Sequence, residues 1–163
     1  MKQVVILGNG ASWKEYPKEA TEIWGSLTAM LIGGLKDVPF TRLFAFDDIS
    51  PKIQAALDIA QEKGIPICSN KEFATEKYPL DKVTKEFHTN YFKNTVSYTL
   101  ALALYEGYTP LLYGFDPTDD VNYNRAKPWI TYWLGVAVGR NIGYKLNRAT
   151  MEWLYRFQGE YDI

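Results

Sequence analysis

The sequence predicts an α/β protein: a mostly parallel sheet with helices on both of its faces. Three observations predict it. Short runs of branched and aromatic residues recur, at Val4-Val5-Ile6-Leu7, at Arg42-Leu43-Phe44-Ala45-Phe46 and at residues 109–113. Past their first residues Arg42 and Thr109 these runs are apolar without alternation, the pattern of strands buried on both faces. Segments with helical apolar spacing lie between them, which is the alternation that builds a parallel sheet.

In chain order, the first strand ends at Gly8-Asn9-Gly10. Ser12 is placed to cap a helix that begins near Trp13, and Pro17 keeps that helix short. Residues 21–24 suit a short strand, followed by Gly25-Ser26. Residues 27–35 fit either a helix or an irregular loop. The strand at 42–46 closes on Asp47-Asp48. Ser50-Pro51 then starts a helix as N-cap and first helical residue, with Ile53, Ala56, Leu57 and Ala60 on one face and Gly64 as its stop. Residues 65–68 form the next strand, which Pro66 assigns to a sheet edge or to a late start. Residues 69–90 read as a long polar connection with a helical turn near 81–87. Asn94-Thr95 opens the strongest helix, residues 96–106, stopped by Gly107. The strand at 109–113 runs into Gly114-Phe115-Asp116-Pro117. Residues 118–127 are polar and predict a mobile segment. Pro128 begins a helix with Ile130, Trp133, Leu134 and Ala137 on one face. A strand at 143–146 and a helix at 150–157, with Met151, Leu154 and Tyr155 inward, complete the chain.

A chain of 163 residues suits one domain, residues 1–163, with a substantial core. Its formal net charge of −1, without a basic block, gives no support to nucleic-acid binding. One cysteine and one histidine exclude an internal disulfide and a Cys/His zinc site. No stretch approaches a membrane span or a signal peptide, so a cytoplasmic protein is expected. The 12 Tyr, 8 Phe and 5 Trp serve either core and subunit packing, as in a homo-oligomer, or stacking against a base.

In parallel α/β sheets ligands bind beyond the carboxyl ends of the strands. That rule gathers Gly8 to Ser12, Trp24 to Ser26, Asp47-Asp48 and Gly114 to Asp116 around one pocket, with Asn94-Thr95 facing it. The glycine loop has the spacing Gly-x-Gly-x-Ser. This differs from both the dinucleotide fingerprint and the P-loop. A buried strand, a glycine turn and a helix start still make an anion site, so a phosphate is expected on Gly8, Asn9, Gly10 and Ser12. An ordinary strand-to-helix turn is the plain alternative.

Several short motifs recur together here: Ile6-Leu-Gly-Asn-Gly-Ala-Ser12, Asn94-Thr95 before a small-residue helix, and Leu111-Leu-Tyr-Gly-Phe-Asp116. As a set they resemble the Rossmann-like proteins related to archaeal 6-hydroxymethylpterin pyrophosphokinase and to bacterial sialyltransferases. Small single-domain members carried by bacteriophages are the nearest in pattern. The shared features are Trp24-Gly25, the strand from Arg42 to Asp47, Tyr78-Pro-Leu80, Tyr91-Phe-Lys-Asn-Thr95 and the segment from Tyr132 to Ala137. The resemblance implies a single Rossmann-like nucleotide-binding domain. There are departures. Ala11 replaces a proline, Ser26 replaces an asparagine, Asn122-Tyr123 stands for Glu-Tyr, and the segment after Asp116 lacks the histidine base of the sialyltransferases.

The candidate roles follow from side-chain chemistry. His88, as the single imidazole, and Asp116 are the catalytic candidates. Asp47 and Asp116 are candidates to hold Mg²⁺ against phosphates, or to accept from ribose hydroxyls. Helix capping is the simpler role for such acids. Asn94 suits a base edge, a ribose or a turn. Arg125 suits a phosphate, while Tyr123, Trp24 and Phe46 suit stacking. Gly25, Ser26, Thr95 and Gly114 complete the expected ligand site. Three functions are compatible with these residues. One is a binder of a nucleotide or nucleotide-derived phosphorylated molecule without turnover, such as a phage protein that sequesters a host nucleotide signal in the host cytoplasm. The others are a Mg²⁺-dependent pyrophosphoryl-, nucleotidyl- or glycosyl-transferase, and a structural protein with an unused pocket.

Overall fold

Among the described residues, seven strands pair into one sheet in the order β5-β4-β3-β2-β1-β6-β7, and every pairing is parallel. The strands are β1 Lys2–Leu7, β2 Ile23–Ser26, β3 Arg42–Phe44, β4 Ile67–Ser69, β5 Glu76–Lys77, β6 Tyr108–Tyr113 and β7 Lys145–Leu146. The helices are α1 Pro51–Glu62, α2 Leu80–Phe87, α3 Thr95–Tyr105, α4 Val121–Asn124, α5 Lys127–Gly139 and α6 Arg148–Tyr155. The structure, a computed structural model, describes residues 1–155.

The continuous apolar runs are explained by two packing layers. Val4, Ile6, Trp24, Phe44, Cys68 and Leu112 point to one face, where residues of α3, α5 and α6 cover them. Val5, Leu7, Ile23, Leu43, Ile67 and Leu111 point to the other, under α1 and the segment after β2. Side chains alternate between the layers, and both layers are apolar. This is a Rossmann-like α/β fold with helices on both faces.

Local signals set several boundaries as expected. Ser50 caps α1 by accepting from the Ile53 amide, with Pro51 at the first turn. Ile53, Ala56, Leu57 and Ala60 are all buried. Gly64 takes φ +67 just past the helix. Asn94 caps α3, accepting from the Ser97 amide at 2.9 Å and the Ser97 hydroxyl at 2.5 Å.

Other expectations are met in part or corrected. The strand expected at 21–24 runs from Ile23 to Ser26, because its pairing with β1 and β3 carries Gly25 and Ser26 into the ladder. The undecided stretch 27–35 forms 3-10 turns at Leu27–Leu31 and Leu35–Asp37. Of the two alternatives set by Pro66, the late start is the one observed: β4 begins after Pro66, whose carbonyl still accepts from the Leu43 amide, and β5 takes the edge. The long polar connection carries the edge strand β5 and a two-turn α2. The segment expected to be mobile contains α4, capped by Asp120, which accepts from the amides of Asn122 and Tyr123. In α6 the buried residues are Thr150, Trp153 and Leu154, while Met151 and Tyr155 are 45% and 48% exposed. Both stripes satisfy helical spacing. The stripe used is the one in which Thr150 Oγ1 accepts from the Phe115 amide. The end of the expected helix, at residue 157, lies outside the described residues.

Cys68 lies on β4, between β3 and the edge strand β5, with no exposed surface. Burial first, and then the charge of Glu76, push its thiol up to about 12. A free thiol titrates near 8.5. The folded state therefore holds the proton more tightly, and the resulting stability is complete below about pH 8.5 and lost as pH rises through about 12. Iodoacetamide at pH 8 is expected to leave the native thiol unmodified and to alkylate it once urea unfolds the chain. Native labelling at the rate of the unfolded chain would contradict the burial argument.

Candidate functional site

The chain lays down β1 to β5 in one direction across the sheet, then returns to the other side of β1 with β6. The reversal therefore lies between β1 and β6, whose last paired residues are Leu7 and Tyr113. Ligands of open α/β sheets bind beyond the strand ends at such a reversal. Two loops meet there, Gly8 to Ser12 after β1 and Gly114 to Asp116 after β6.

The two loops brace each other. The Gly8 amide donates to the Tyr113 carbonyl at 2.8 Å, and the Gly10 amide to the Gly114 carbonyl at 2.7 Å. The Ser12 amide donates to Asp116 Oδ2 at 2.9 Å, and the Ser12 hydroxyl donates to Asp116 Oδ1. The Gly114 amide donates in turn to Ser12 Oγ at 3.1 Å. A Cβ on Gly8 would lie 2.4 Å from the Gly114 oxygen, and a Cβ on Gly10 would lie 2.6 Å from Asp116 Cγ.

These contacts revise the anion-loop reading. Neither Gly8 nor Gly10 takes a positive φ. Their missing side chains let backbone meet backbone. Three of the loop amides are already used, and a carboxylate already occupies the anion position at Ser12. Among the described residues, the amides of Asn9 and Ala11 remain unpaired. Ser12 is also not the cap. Gly10 precedes the 3-10 turn Ala11–Glu15, and Ser12 lies inside it.

The space beyond the strands has two lobes, of about 390 Å³ and 210 Å³. The larger lies between the Asn9-Gly10-Ala11 turn and the segment from Asp116 to Tyr123. The smaller lies over the ends of β1 and β2, against Asn94, Thr95 and Phe115. Asn9 and Tyr123 line both. The Tyr123 hydroxyl is buried and has no hydrogen-bond partner among the described residues. Burial, and then the charge of Asp116, push its ionisation upward, so it is a neutral phenol. Among the described residues the lining includes Asp116 and Asp120 and no Lys, Arg or His. A cavity of similar size lies elsewhere, beside Met1, Lys2, Pro17 and Thr21, at the amino end of β1.

Gly8, Asn9, Gly10, Gly25, Ser26, Asn94, Thr95, Asp116 and Tyr123 do come together around this crevice. Gly114 and Ser12 stand behind it, in the brace. Trp24 does not reach it. Trp24 is 1% exposed, donates from Nε1 to Glu22 and packs under Arg42 and against Phe44. Its mid-strand position sends the ring into the helix layer. Phe46 stacks on Tyr98 at 3.8 Å, away from the lobes. His88 is exposed and ends α2 with φ 53, so it lines neither lobe and reaches no reactant there. Arg125 is exposed beside α4 and also lines neither.

Asp47 is exposed beyond β3. The ends of β3 and β6 are separated by three strand spacings, about 14 Å. One Mg²⁺ ion needs its oxygen ligands within about 2.1 Å, so Asp47 and Asp116 do not fit as a shared metal site. Among the described residues no group of three or more His, Cys, Asp or Glu is placed to hold a metal.

Sequence reasoning did not single out Val96 and Thr99 on the floor of the smaller lobe, where Phe115 joins them, or Thr118 and Asp120 on the wall of the larger. Asp120 carried a signal, since an Asp before a short polar stretch is a helix cap. The apolar floor residues carried none. No family model, curated protein or solved structure matches the chain.

Proposed function

We propose that the crevice between β1 and β6 binds a small nucleotide-derived molecule, and that binding without turnover is the function. The observation that carries this is the buried Tyr123 hydroxyl, unpaired and shared by both lobes at the reversal of strand order. A buried hydroxyl without a partner is costly, and a ligand polar group entering either lobe would satisfy it. Asp116 and Asp120 disfavour a phosphate inside the lobes. The uncharged base and sugar therefore sit within, and the phosphates lie towards the mouth. Binding alone is favoured because Asp116 already accepts twice from Ser12 and His88 is outside the crevice. The resemblance to small phage-carried proteins extends the reading to sequestration of a host nucleotide signal.

A thermal-shift panel tests it, with the four nucleosides, their 5′-monophosphates, cyclic dinucleotides and nucleotide sugars, each with and without Mg²⁺. A ligand at 100 times its Kd is expected to stabilise the protein by about 2.7 kcal/mol. The stabilising compound should be recovered chemically unchanged after incubation with Mg²⁺ and acceptors. A panel with no shift rejects the binding site, and turnover of the bound compound rejects the binder in favour of a transferase.

A further inference from the structure

Trp153 lies on α6, remote in sequence from every loop of the crevice, yet it is joined to the segment that walls it. Its Nε1 donates to Asn124 Oδ1 at 2.8 Å. Its ring lies 4.8 Å from the Tyr123 ring, centroid to centroid, and 6.4 Å from that of Phe115. Lys127, which starts α5 directly after α4, places its ammonium 5.5 Å from the same ring. The indole is 1% exposed.

The start of α6 holds the other flanks. Asn147, just before it, donates from its amide to the Leu112 carbonyl and from Nδ2 to Glu15, at the end of the turn that follows the glycine loop. Thr150 Oγ1 accepts from Phe115. By contrast, α4 has four residues, none of them buried, and its own support is the Asp120 cap, the Asn124 to Thr118 bond and the backbone bonds from Asn124 to Asp120 and from Arg125 to Val121. A helix so short does not persist unaided.

We propose that α6 is the latch of the crevice, and that Trp153 is a positioning residue that holds α4 and so aims Tyr123 between the two lobes. Docked, α6 keeps the Tyr123 hydroxyl buried. Undocked, α4 loses the contact between Tyr123 and the Trp153 ring and its indole bond, and the larger lobe loses its outer wall. Access to the crevice is then controlled from the far side of the sheet's end, by whatever favours or displaces α6. The inference uses the crevice reading only for its consequence; the latch itself is measured without a ligand.

Native-state hydrogen exchange of the ligand-free protein tests it. Trp153→Phe keeps a ring and removes the indole donor. It is expected to speed exchange at Asn124, Arg125 and Ala126 about threefold to tenfold, the equivalent of one ordinary hydrogen bond. Amides of β1 and α3 should not change. Asn124→Ala removes the acceptor, and with it the Asn124 bond to Thr118, without altering the α6 core; it should speed exchange at the same residues at least as much, with α6 exchange at the wild-type level. In the Asn124→Ala background, Trp153→Phe should add nothing at residues 124–126. Additive effects, or wild-type exchange at 124–126 in Trp153→Phe, would overturn the latch. A uniform rise across all segments would show that Trp153 acts only on global stability, which also overturns it.

Discussion

Gly114→Ala is expected to destabilise the protein by more than about 3 kcal/mol, enough to unfold a domain of ordinary stability on warming. Two costs combine. Gly114 sits at φ +81, which an L side chain adopts at a cost of about 1–2 kcal/mol. Its new Cβ would also lie 2.6 Å from the Gly8 oxygen and 3.0 Å from Trp13 Cβ. The first of these is backbone, so relief requires the ends of β1 and β6 to separate. Gly107→Ala is the internal control. It has nearly the same φ, +80, but its Cβ would meet nothing within 4 Å. It should therefore cost only the conformational part, about 1–2 kcal/mol. Urea denaturation of both variants measures the difference. Equal losses would show that the loops can part freely, and the brace at the reversal would have no energetic content.

The same pair of loops shows what the sequence made legible and what it could not. Gly8, Gly10 and Gly114 stand out at strand ends, and that is readable from residue type. The reason for each depends on which strand lies beside β1. That neighbour is β6, about a hundred residues later, and only the fold places it there. With the neighbour unknown, a ligand was the natural partner for the bare loop; with it known, the partner is another loop. Local devices fare better, because their cause lies within a few residues. Ser50-Pro51 and Asn94 cap their helices as read, and Gly64 and Gly107 stop the chain at positive φ. Elements whose existence depends on tertiary contact were not readable. β5 is two charged residues held at an edge by β4, and α4 is a short helix held by Trp153. Trp24 marks the limit from the other side. An aromatic at a strand end is legible as special, but the one extra residue pair of β2 decides that it faces the core.

Asp116→Ala is the second large effect expected, a loss of about 3 kcal/mol, and it separates the two roles open to this carboxylate. Asp116 is half-buried, and Ser12 is 8% exposed. Removing the carboxylate takes the acceptor from both the Ser12 amide and the Ser12 hydroxyl, while the hydroxyl still accepts from the Gly114 amide. Hydrogen bonds to a charged group contribute roughly 1.5–3 kcal/mol, and a buried donor left unpaired costs about 1–3 kcal/mol. Asp116→Asn should fall between Ala and wild type, since its amide offers one acceptor to Ser12 and turns a donor towards the other. Ser12→Ala should be coupled to Asp116→Ala, with the double variant losing clearly less than the sum of the two. A ligand-handling carboxylate behaves differently. It lowers affinity or turnover when neutralised and leaves the urea midpoint where it was. If Asp116→Ala proves as stable as the native chain, the loops at the reversal do not depend on the carboxylate, and Asp116 returns to the crevice as a group free to meet a ligand.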